Sequence, residues 1–297
     1  MAGAGACGTE PSEVEPGVYR LVAADSATST TLACFASSSH YSGGELVSQG
    51  DCDVALRGLE ARFDSTGPIP VLRFTARVRL QAGDTAAWEV GIPATVQNNV
   101  IQYDFTTVIG PLSDEEWFIL PRAGTLVNGV LTLLMTTSIS TGQPDRTDYL
   151  RLDPSVFILT ATGRPPPQSP LAPRYVGVSF SGQPAEYCTL ATATLPGRCF
   201  HRSFSLASIG TTWVATYDEL VTADVDTLGG MSLTASELTV THPNAFVRIT
   251  SPGSDRPGLP LRFGAEGSVA GGSLTLFTTY FSFDGTPLVS PIVANAE

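Results

Sequence analysis

Apolar and polar residues alternate with a period of two along most of this chain, and this period is typical of β-strands. Within residues 71–80, Leu72 and Phe74 lie on one face while Arg73 lies on the other. The same alternation recurs in residues 100–109. The pattern therefore predicts an antiparallel β protein in which each strand turns its apolar side toward a core.

Residues 273–283 differ from these strands because both of their faces are apolar. Phe277 and Phe281 alternate with Leu274 and Leu276. A strand with two apolar faces is buried on both sides, so we expect this one to lie inside a sandwich or between subunits.

Turn signals rich in Gly, Pro and Asp separate the predicted strands at short intervals, as in residues 64–68, 142–145 and 251–255. Short strands with frequent turns favour antiparallel sandwiches or barrels. Helical patterns are rare, and they predict two short helices, at residues 113–119 and 214–221. The fold class that we predict is all-β, with antiparallel β-sandwich domains of the jelly-roll type.

A Pro-rich segment, residues 163–173, interrupts the alternation and contains three consecutive prolines. Proline lacks the N–H that a strand ladder needs, so no central strand is expected here. The segment predicts an extended linker between two tandem domains. The predicted organisation is a flexible tail (1–15), a first β-sandwich (16–163), the linker (164–173) and a second β-sandwich (174–297).

The two predicted domains share weak sequence similarity in the same order along the chain. The strongest match is a Gly-x-Leu-Thr-Leu pattern that begins at Gly129 and again at Gly272. Two further matches pair residues 19–34 with 175–188 and residues 153–158 with 290–293. The matches favour a tandem duplication of one β-domain, and convergence of generic strand patterns is the alternative.

The number and distribution of charged residues limit the classes of partner that this chain is expected to bind. Charged residues form only 15% of the chain, and the net charge is −12. All 16 basic residues are arginine, which reflects either a G+C-rich genome or a preference for planar cations at packed interfaces. These arginines are scattered, apart from Arg73, Arg77 and Arg79, whereas nucleic-acid binding needs a basic patch. No apolar run approaches the roughly 20 residues of a membrane span, so we expect neither nucleic-acid contact nor a membrane span.

Four of the five cysteines fall into two local pairs, Cys34 with Cys52 and Cys188 with Cys199. In an oxidising compartment each pair predicts a disulfide, whereas free buried thiols are the alternative elsewhere. The start of the chain lacks the charged and apolar regions of a signal peptide. Cys7 and the residues before it resemble the end of a bacterial lipoprotein signal, which would require a longer native N-terminus.

No complete catalytic pattern occurs in the sequence. Gly-x-Ser-x-Gly and P-loop patterns are missing, and no Gly-x-Gly-x-x-Gly pattern lies between a predicted strand and a predicted helix. Of the three histidines, His40 is interpreted as a polar loop residue and His242 as part of a turn. Acidic residues 114–116 suit a helix start, and Asp224 with Asp226 suits a solvated edge better than a cation site.

A zinc site is the remaining possibility for Cys188, Cys199 and His201. These residues lack the tighter spacing and the fourth ligand that structural zinc needs, so a disulfide or two thiols are favoured. We therefore expect no enzyme activity, no cofactor and no bound metal.

Residues 97–105 and 272–283 resemble strands of viral coat and surface proteins that are built from antiparallel sandwiches or jelly rolls. The resemblance implies a structural role in a virion. Coat proteins that package genomes often carry basic N-terminal arms, and this chain departs from that pattern with Glu10, Glu13 and Glu15. The departure implies an outer element, such as a protrusion or crown on a capsid protein, for instance in a double-stranded RNA virus of fungi.

The resulting functional prediction is a non-enzymatic protein of the virion surface that packs on a capsid protein and on copies of itself. The alternative is a secreted bacterial lipoprotein or extracellular β-sandwich module that binds sugar or protein. A hydrolase on a β-sandwich is a third class, which would need clustered carboxylates. Candidate interface residues, of the aromatic and arginine types enriched at interfaces, are Tyr41, Trp117, Arg122, Trp213 and Tyr217.

Overall fold

The computed structural model describes residues 17–25, 34–42, 45–80, 85–106, 116–140, 155–167, 169–192, 196–223, 226–242, 245–250, 264–281 and 287–297. These residues lie in β-strands or in the turns and extended segments between them, and no helix occurs among them. The all-β prediction is therefore confirmed for this part of the chain. The predicted tail, residues 1–15, lies outside it.

The first half of the chain forms a closed antiparallel barrel of eight strands, here called barrel one. The nine described strands of this half are β1 (Val18–Asp25), β2 (Cys34–Ser42), β3 (Glu45–Asp64), β4 (Val71–Leu80), β5 (Thr85–Gln97), β6 (Val100–Tyr103), β7 (Glu116–Val127), β8 (Val130–Ser140) and β9 (Ser155–Thr160), and all but β2 belong to the ring. Strands β3 to β9 are sequential neighbours, and β1 closes the ring by pairing with both β9 and β3. Strand β2 pairs with β3 outside the ring.

The second half forms barrel two, which is also a closed ring of eight strands. The ten described strands of this half are β10 (Arg174–Phe180), β11 (Gln183–Pro184), β12 (Glu186–Thr189), β13 (Arg198–Ile209), β14 (Thr212–Ala223), β15 (Asp226–Thr241), β16 (Phe246–Thr250), β17 (Gly264–Ala270), β18 (Ser273–Phe281) and β19 (Pro287–Ala296). Strand β10 closes this ring by pairing with β19 and β13, while β11 and β12 lie outside it.

The predicted β-sandwiches are therefore wrong, because each sheet closes on itself instead of packing face to face on a second sheet. Both architectures place alternate residues of each strand in a core, so the period-two pattern is the same in both. Closure depends on the first strand reaching both edges of the sheet. The sequence carries no local mark of that long-range pairing.

The predicted helix at residues 214–221 is also wrong, because these residues form the middle of strand β14. They pair along their length with β13 and β15, so packing between two neighbouring strands overrides the local helical pattern. In the other predicted helix, residues 116–119 belong to strand β7, and residues 113–115 lie outside the described part.

The two barrels share their strand order and much of their register. Tyr19 opposes Ala61 in barrel one, and Tyr175 opposes Leu206 at the corresponding place in barrel two. Both first strands then shift register two residues after the tyrosine. The Gly-x-Leu-Thr-Leu patterns both begin strands, β8 and β18. The third predicted match is displaced by two residues, since the ladders place Val156, not Pro154, in the position of Pro291.

Large apolar side chains fill the interior of each barrel. In barrel one, Tyr19, Phe74 and Phe157 are almost fully buried in one cluster with aliphatic residues from every part of the ring. In barrel two, Tyr175 and Phe204 lie in a second cluster of the same kind. An eight-stranded ring is just wide enough for side chains to fill, so both interiors act as packed cores.

The outer faces of the two barrels pack against each other through a third apolar cluster. Barrel one contributes Leu134 and Ile158, and barrel two contributes Phe246 and Phe277. Strand β18 is therefore buried on both faces, because one face lies in the interior of barrel two and the other against barrel one. The expected covering surface is thus the other barrel of the same chain.

Polar contacts at this interface follow a local two-fold pattern. Thr125 opposes Thr132 in barrel one, and Ser268 opposes Thr275 in barrel two. Across the interface the hydroxyl of Thr125 donates to that of Thr275 at 3.3 Å, and the hydroxyls of Thr132 and Ser268 lie 2.7 Å apart. Each residue thus contacts the counterpart of its own partner, as in an isologous dimer interface.

The Pro-rich segment between β9 and β10 remains against the barrels. Leu171 and Ala172 pack on the interior cluster of barrel two, and the N–H of Ser208 donates to the carbonyl of Pro173 at 2.8 Å. Within its described residues, which are all but Gln168, the structure shows no separate Pro-rich linker.

A turn after strand β3 makes the stability of barrel one sensitive to acid. The carboxylate of Asp64 accepts hydrogen bonds from the hydroxyl and N–H of Thr66, at 2.6 and 3.2 Å, and from Arg73 at 3.0 Å. These bonds, led by the Thr66 hydroxyl, lower the pKa of Asp64 from 3.8 to about 2. Because the folded pKa is the lower one, the stabilisation is present above about pH 4 and disappears as the pH falls toward 2.

We therefore expect Asp64→Asn to lower the free energy of unfolding at neutral pH, and the difference from wild type to shrink between about pH 4 and pH 2. Urea unfolding at several pH values measures this difference. Asp226→Asn is the control, since that exposed carboxylate accepts no hydrogen bond from the described residues. A pH-independent difference for Asp64→Asn would contradict the assignment.

Candidate functional site: a groove on barrel two

Strands β12 to β15 extend beyond the point where barrel two closes. The closing strand β10 contacts β13 only at Ser205–Ala207 within the described register, and the preceding part of β13 continues away from the ring. Strand β12 pairs with that continuation, and β14 and β15 accompany it on the other side. The four strands form a small projecting sheet, here called the flap.

A groove of about 600 Å³ lies on the flap. Cross-strand register explains which side chains border it. Glu186, His201 and Leu220 are neighbours on three adjacent strands, and Ser203 and Asp218 form the next row. All five are exposed, in contrast to the alternate residues of β13, such as Phe204 and Leu206, which enter the barrel core. Ala185, Gly230 and Ser232 also border the groove, as do Arg202, Glu219 and Met231. The last three form a register row that alternates with the first five residues, so their side chains belong to the other face of the flap.

Carboxylates give the groove its charge. The hydroxyl of Ser203 donates to Asp218 at 3.3 Å, and Nδ1 of His201 lies 3.6 Å from the carboxylate of Glu186. Neither Asp218 nor Glu186 pairs with an arginine among the described residues. Both carboxylates therefore remain accessible to a positively charged ligand.

The opposite face of the flap carries a rigid polar and aromatic layer. Arg202 pairs with Glu219, which also accepts a hydrogen bond from Tyr217 at 3.0 Å. Burial opposes the charge of Arg202, but the hydrogen bond and charge of Glu219 outweigh it and raise the pKa of Arg202. The rings of Tyr187 and Phe200 stack at 4.7 Å, and the guanidinium of Arg202 lies 5.3 Å from each centroid. This layer fixes the backbone that forms the floor of the groove.

A disulfide joins Cys188 and Cys199, which are direct cross-strand neighbours on β12 and β13. It fastens the short strand β12 to the flap and removes both thiols as zinc ligands. No group of His, Cys, Asp and Glu able to hold a metal occurs among the described residues. In the other cysteine pair, Cys34 opposes Ala55 and Cys52 opposes Ser37, and their side chains lie outside the description.

The candidate interface residues are dispersed over both barrels. Arg122 is exposed on β7, Trp213 is half-buried against the interior cluster of barrel two, and Tyr217 is buried in that cluster. Tyr41 and Trp117 lie on strands β2 and β7, with side chains outside the description.

The flap also carries exposed apolar side chains that were not predicted from the sequence, and two of them, Leu220 and Met231, border the groove. Leu190, Leu220, Leu228 and Met231 are exposed by 90, 42, 51 and 37%. The available signal was the pair Leu220-Val221, which makes β14 apolar on both faces, and the helical interpretation of residues 214–221 concealed it.

Comparison with known proteins adds no relative: no protein family, no curated protein and no solved structure matches this chain. Among the described residues, no helix has the length and hydrophobicity that a membrane crossing requires.

Removal of the disulfide is expected to loosen β12 while the ring of barrel two stays folded. The bridge spans 11 residues and joins β12 to a single neighbour, so its loss frees a local hairpin. We expect Cys188→Ser with Cys199→Ser to speed hydrogen exchange in residues 186–189 at least tenfold, with exchange in β17 and β18 unchanged. Exchange followed by mass spectrometry tests this, and wild-type protein under reducing conditions should match the variant. Equal protection of β12 in both proteins would contradict the assigned role of the bridge.

Proposed function

We propose that the chain is a non-enzymatic structural protein that packs on another protein, as a surface component of a virus particle. The observation that carries this proposal is the exposed apolar surface of the flap. Leu190, Leu220 and Leu228 project on a part of barrel two that takes no part in closing the ring. Exposed apolar side chains that group together are typical of surfaces that bind other macromolecules.

The packed interiors support a role for the outer surface. Ligand-binding barrels keep a cavity inside the ring, whereas Tyr19 and Phe157 in barrel one and Tyr175 and Phe204 in barrel two occupy theirs. A partner molecule therefore binds on the exposed outer faces of this chain, as in structural and assembly proteins.

Shared strand order and register support a tandem duplication as the origin of this architecture. The two-fold arrangement of Thr125, Thr132, Ser268 and Thr275 is the pattern that a fused homodimer would retain. Such a fusion supplies one unit of two packed barrels, which suits a protrusion seated on a coat protein.

Sedimentation of native particles tests the proposal. We expect the chain to co-sediment with a particle whose coat protein it contacts, and to be released by Leu220→Ser combined with Leu228→Ser. Ile69→Ser is the matched control, since Ile69 is a 58% exposed apolar residue on barrel one. Recovery of the native chain only as a free protein, with no particle fraction, would overturn the proposal.

A second candidate is a secreted binding module, and the Cys188–Cys199 disulfide favours it. Disulfides persist in secreted proteins and at cell and virion surfaces, so the bridge supports either extracellular setting. Mass spectrometry of the non-reduced native protein, with its N-terminus, separates the two candidates. A processed N-terminus on a particle-free, oxidised protein would favour the secreted module.

A further inference from the structure

We propose that the groove of barrel two binds an extended segment of a partner protein in which positively charged side chains flank an apolar one. This inference rests on the proposed function, because it names the chemistry of the partner for the same surface. It is carried by the combination of groove shape, uncompensated charge and neighbouring apolar side chains.

Among the described residues of barrel two, some charged side chains have a partner of opposite charge and others have none. Arg174 pairs with Glu297, Arg202 with Glu219 and Arg248 with Glu266. The carboxylates that have no arginine partner include Glu186 and Asp218, and both line the groove. The groove thus presents negative charge that the chain itself does not neutralise, and a cationic partner complements it.

Apolar side chains at the same place argue against a simple hydrophilic ion as the partner. Leu220 shares a register row with Glu186 and lies two residues from Asp218 along β14, and Met231 of β15 also borders the groove. Transfer of these side chains from water into a contact is favourable, at about 25 cal/mol per Å². A ligand with both positive charge and apolar surface is therefore expected to bind the groove more tightly than a ligand with positive charge alone.

Strand geometry sets the spacing of the ligand's charges. Glu186 and Asp218 are separated by two strand intervals and one two-residue step along the strand. With strands ~4.8 Å apart and a rise of ~3.3 Å per residue, the two positions lie about 12 Å apart. An extended peptide covers this distance in about four residues. Its central side chain then lies over β13 between His201 and Ser203, next to Leu220.

The flap offers this surface in a pre-organised form. The disulfide fastens β12, and the Arg202–Glu219 pair with the stacked rings of Tyr187 and Phe200 fixes the reverse face. A rigid surface loses little conformational freedom on binding, so a short segment can bind measurably.

Binding of a labelled synthetic peptide to the full chain tests the inference. The probe has two arginines separated by three residues, the central one leucine, and fluorescence anisotropy at low salt measures its affinity. We expect Glu186→Gln with Asp218→Asn to weaken binding about tenfold, and added salt to weaken wild-type binding similarly. Leu220→Ser should also weaken it. Glu237→Gln is the matched control, an exposed carboxylate on β15 away from the groove lining, and should change affinity less than twofold.

Two comparison peptides define the chemistry, one with glutamates in place of the arginines and one with serine in place of leucine. Weaker binding of both supports the inference. Absence of binding by the arginine peptide, equal binding of the glutamate peptide, or an unchanged affinity of the double carboxylate variant overturns it. Particle co-sedimentation that persists in the double carboxylate variant leaves the proposed function intact and rejects only this partner chemistry.

Discussion

Gly267→Ala is expected to be among the most destabilising single substitutions in this chain, by about 3 kcal/mol. Gly267 is buried on β17, opposite Leu276 of β18. A Cβ atom built on it overlaps the carbonyl oxygen of Thr275 and lies 2.7 Å from the carbonyl carbon. Because the obstacle is backbone, no side-chain rotation relieves the clash, and the β17–β18 ladder must shift. Urea unfolding of the full chain measures the loss.

Gly229→Ala is the matched control, since a Cβ atom there meets nothing within 4 Å. It should change the free energy of unfolding by less than about 1 kcal/mol. Equal free energies of unfolding for Gly267→Ala and Gly229→Ala would contradict the close contact between Gly267 of β17 and the backbone of β18.

Gly124 provides an internal comparison, because it occupies the place in barrel one that Gly267 occupies in barrel two. Each glycine precedes the hydroxyl residue, Thr125 or Ser268, that contacts the other barrel. A Cβ atom on Gly124 would lie 2.5 Å from the hydroxyl oxygen of Tyr103, a side-chain atom. Side chains of Ile101 and Leu133 also lie 3.0 Å from that Cβ atom, so the clash involves side chains only and is milder, and its closest contact is a group that substitution can remove.

The hydroxyl of Tyr103 itself lowers the stability of the fold in this position. The hydroxyl of Tyr103 is buried without a hydrogen-bond partner in the described structure, and burial raises the pKa of this phenol well above its usual value. Removing a buried, unpaired polar group relieves its desolvation. Tyr103→Phe is thus expected to be neutral or slightly stabilising, and to recover part of the loss caused by Gly124→Ala in a double-mutant cycle.

Strands and their turns follow closely from the sequence in several places. Asn128-Gly129 and Gly271-Gly272 join strands through two residues with positive φ, as two-residue hairpins require. Alternation along residues 71–80 correctly separates buried Leu72 and Phe74 from the opposite face. These features are local, so neighbouring residues are enough to specify them.

Ring closure and the groove depend on contacts between distant residues. Tyr19 reaches Ala61 across about 40 positions, and no local pattern reports that pairing. The groove likewise joins Glu186, His201 and Leu220 through the register of three strands, so none of them forms a recognisable motif. His201 was predicted only as a weak zinc candidate because sequence spacing shows neither its neighbour on β12 nor the one on β14.

Phe277→Ala is expected to separate the unfolding of the two barrels. Phe277 is 2% exposed and lies on the outer face of β18, against Ala123 and Leu134 of barrel one. Loss of this side chain leaves a cavity at the interface and costs about 3–5 kcal/mol. Because the cavity lies between the barrels, the lost free energy is the part that stabilises the packing of one barrel on the other. We expect hydrogen exchange by mass spectrometry to show protection lost in the outer contacts of both barrels.

Phe204→Ala distinguishes this effect from ordinary loss of core packing. Phe204 is equally buried, at 2%, but it lies inside barrel two, away from the interface cluster. Its truncation should cost a similar amount and accelerate exchange throughout barrel two, while barrel one keeps its protection. If Phe277→Ala gave the same one-sided pattern, with no change in β7 and β8, the two barrels would be joined by the chain but not coupled energetically. A coupled response at both sides of Phe277 instead means that the two barrels unfold as one unit.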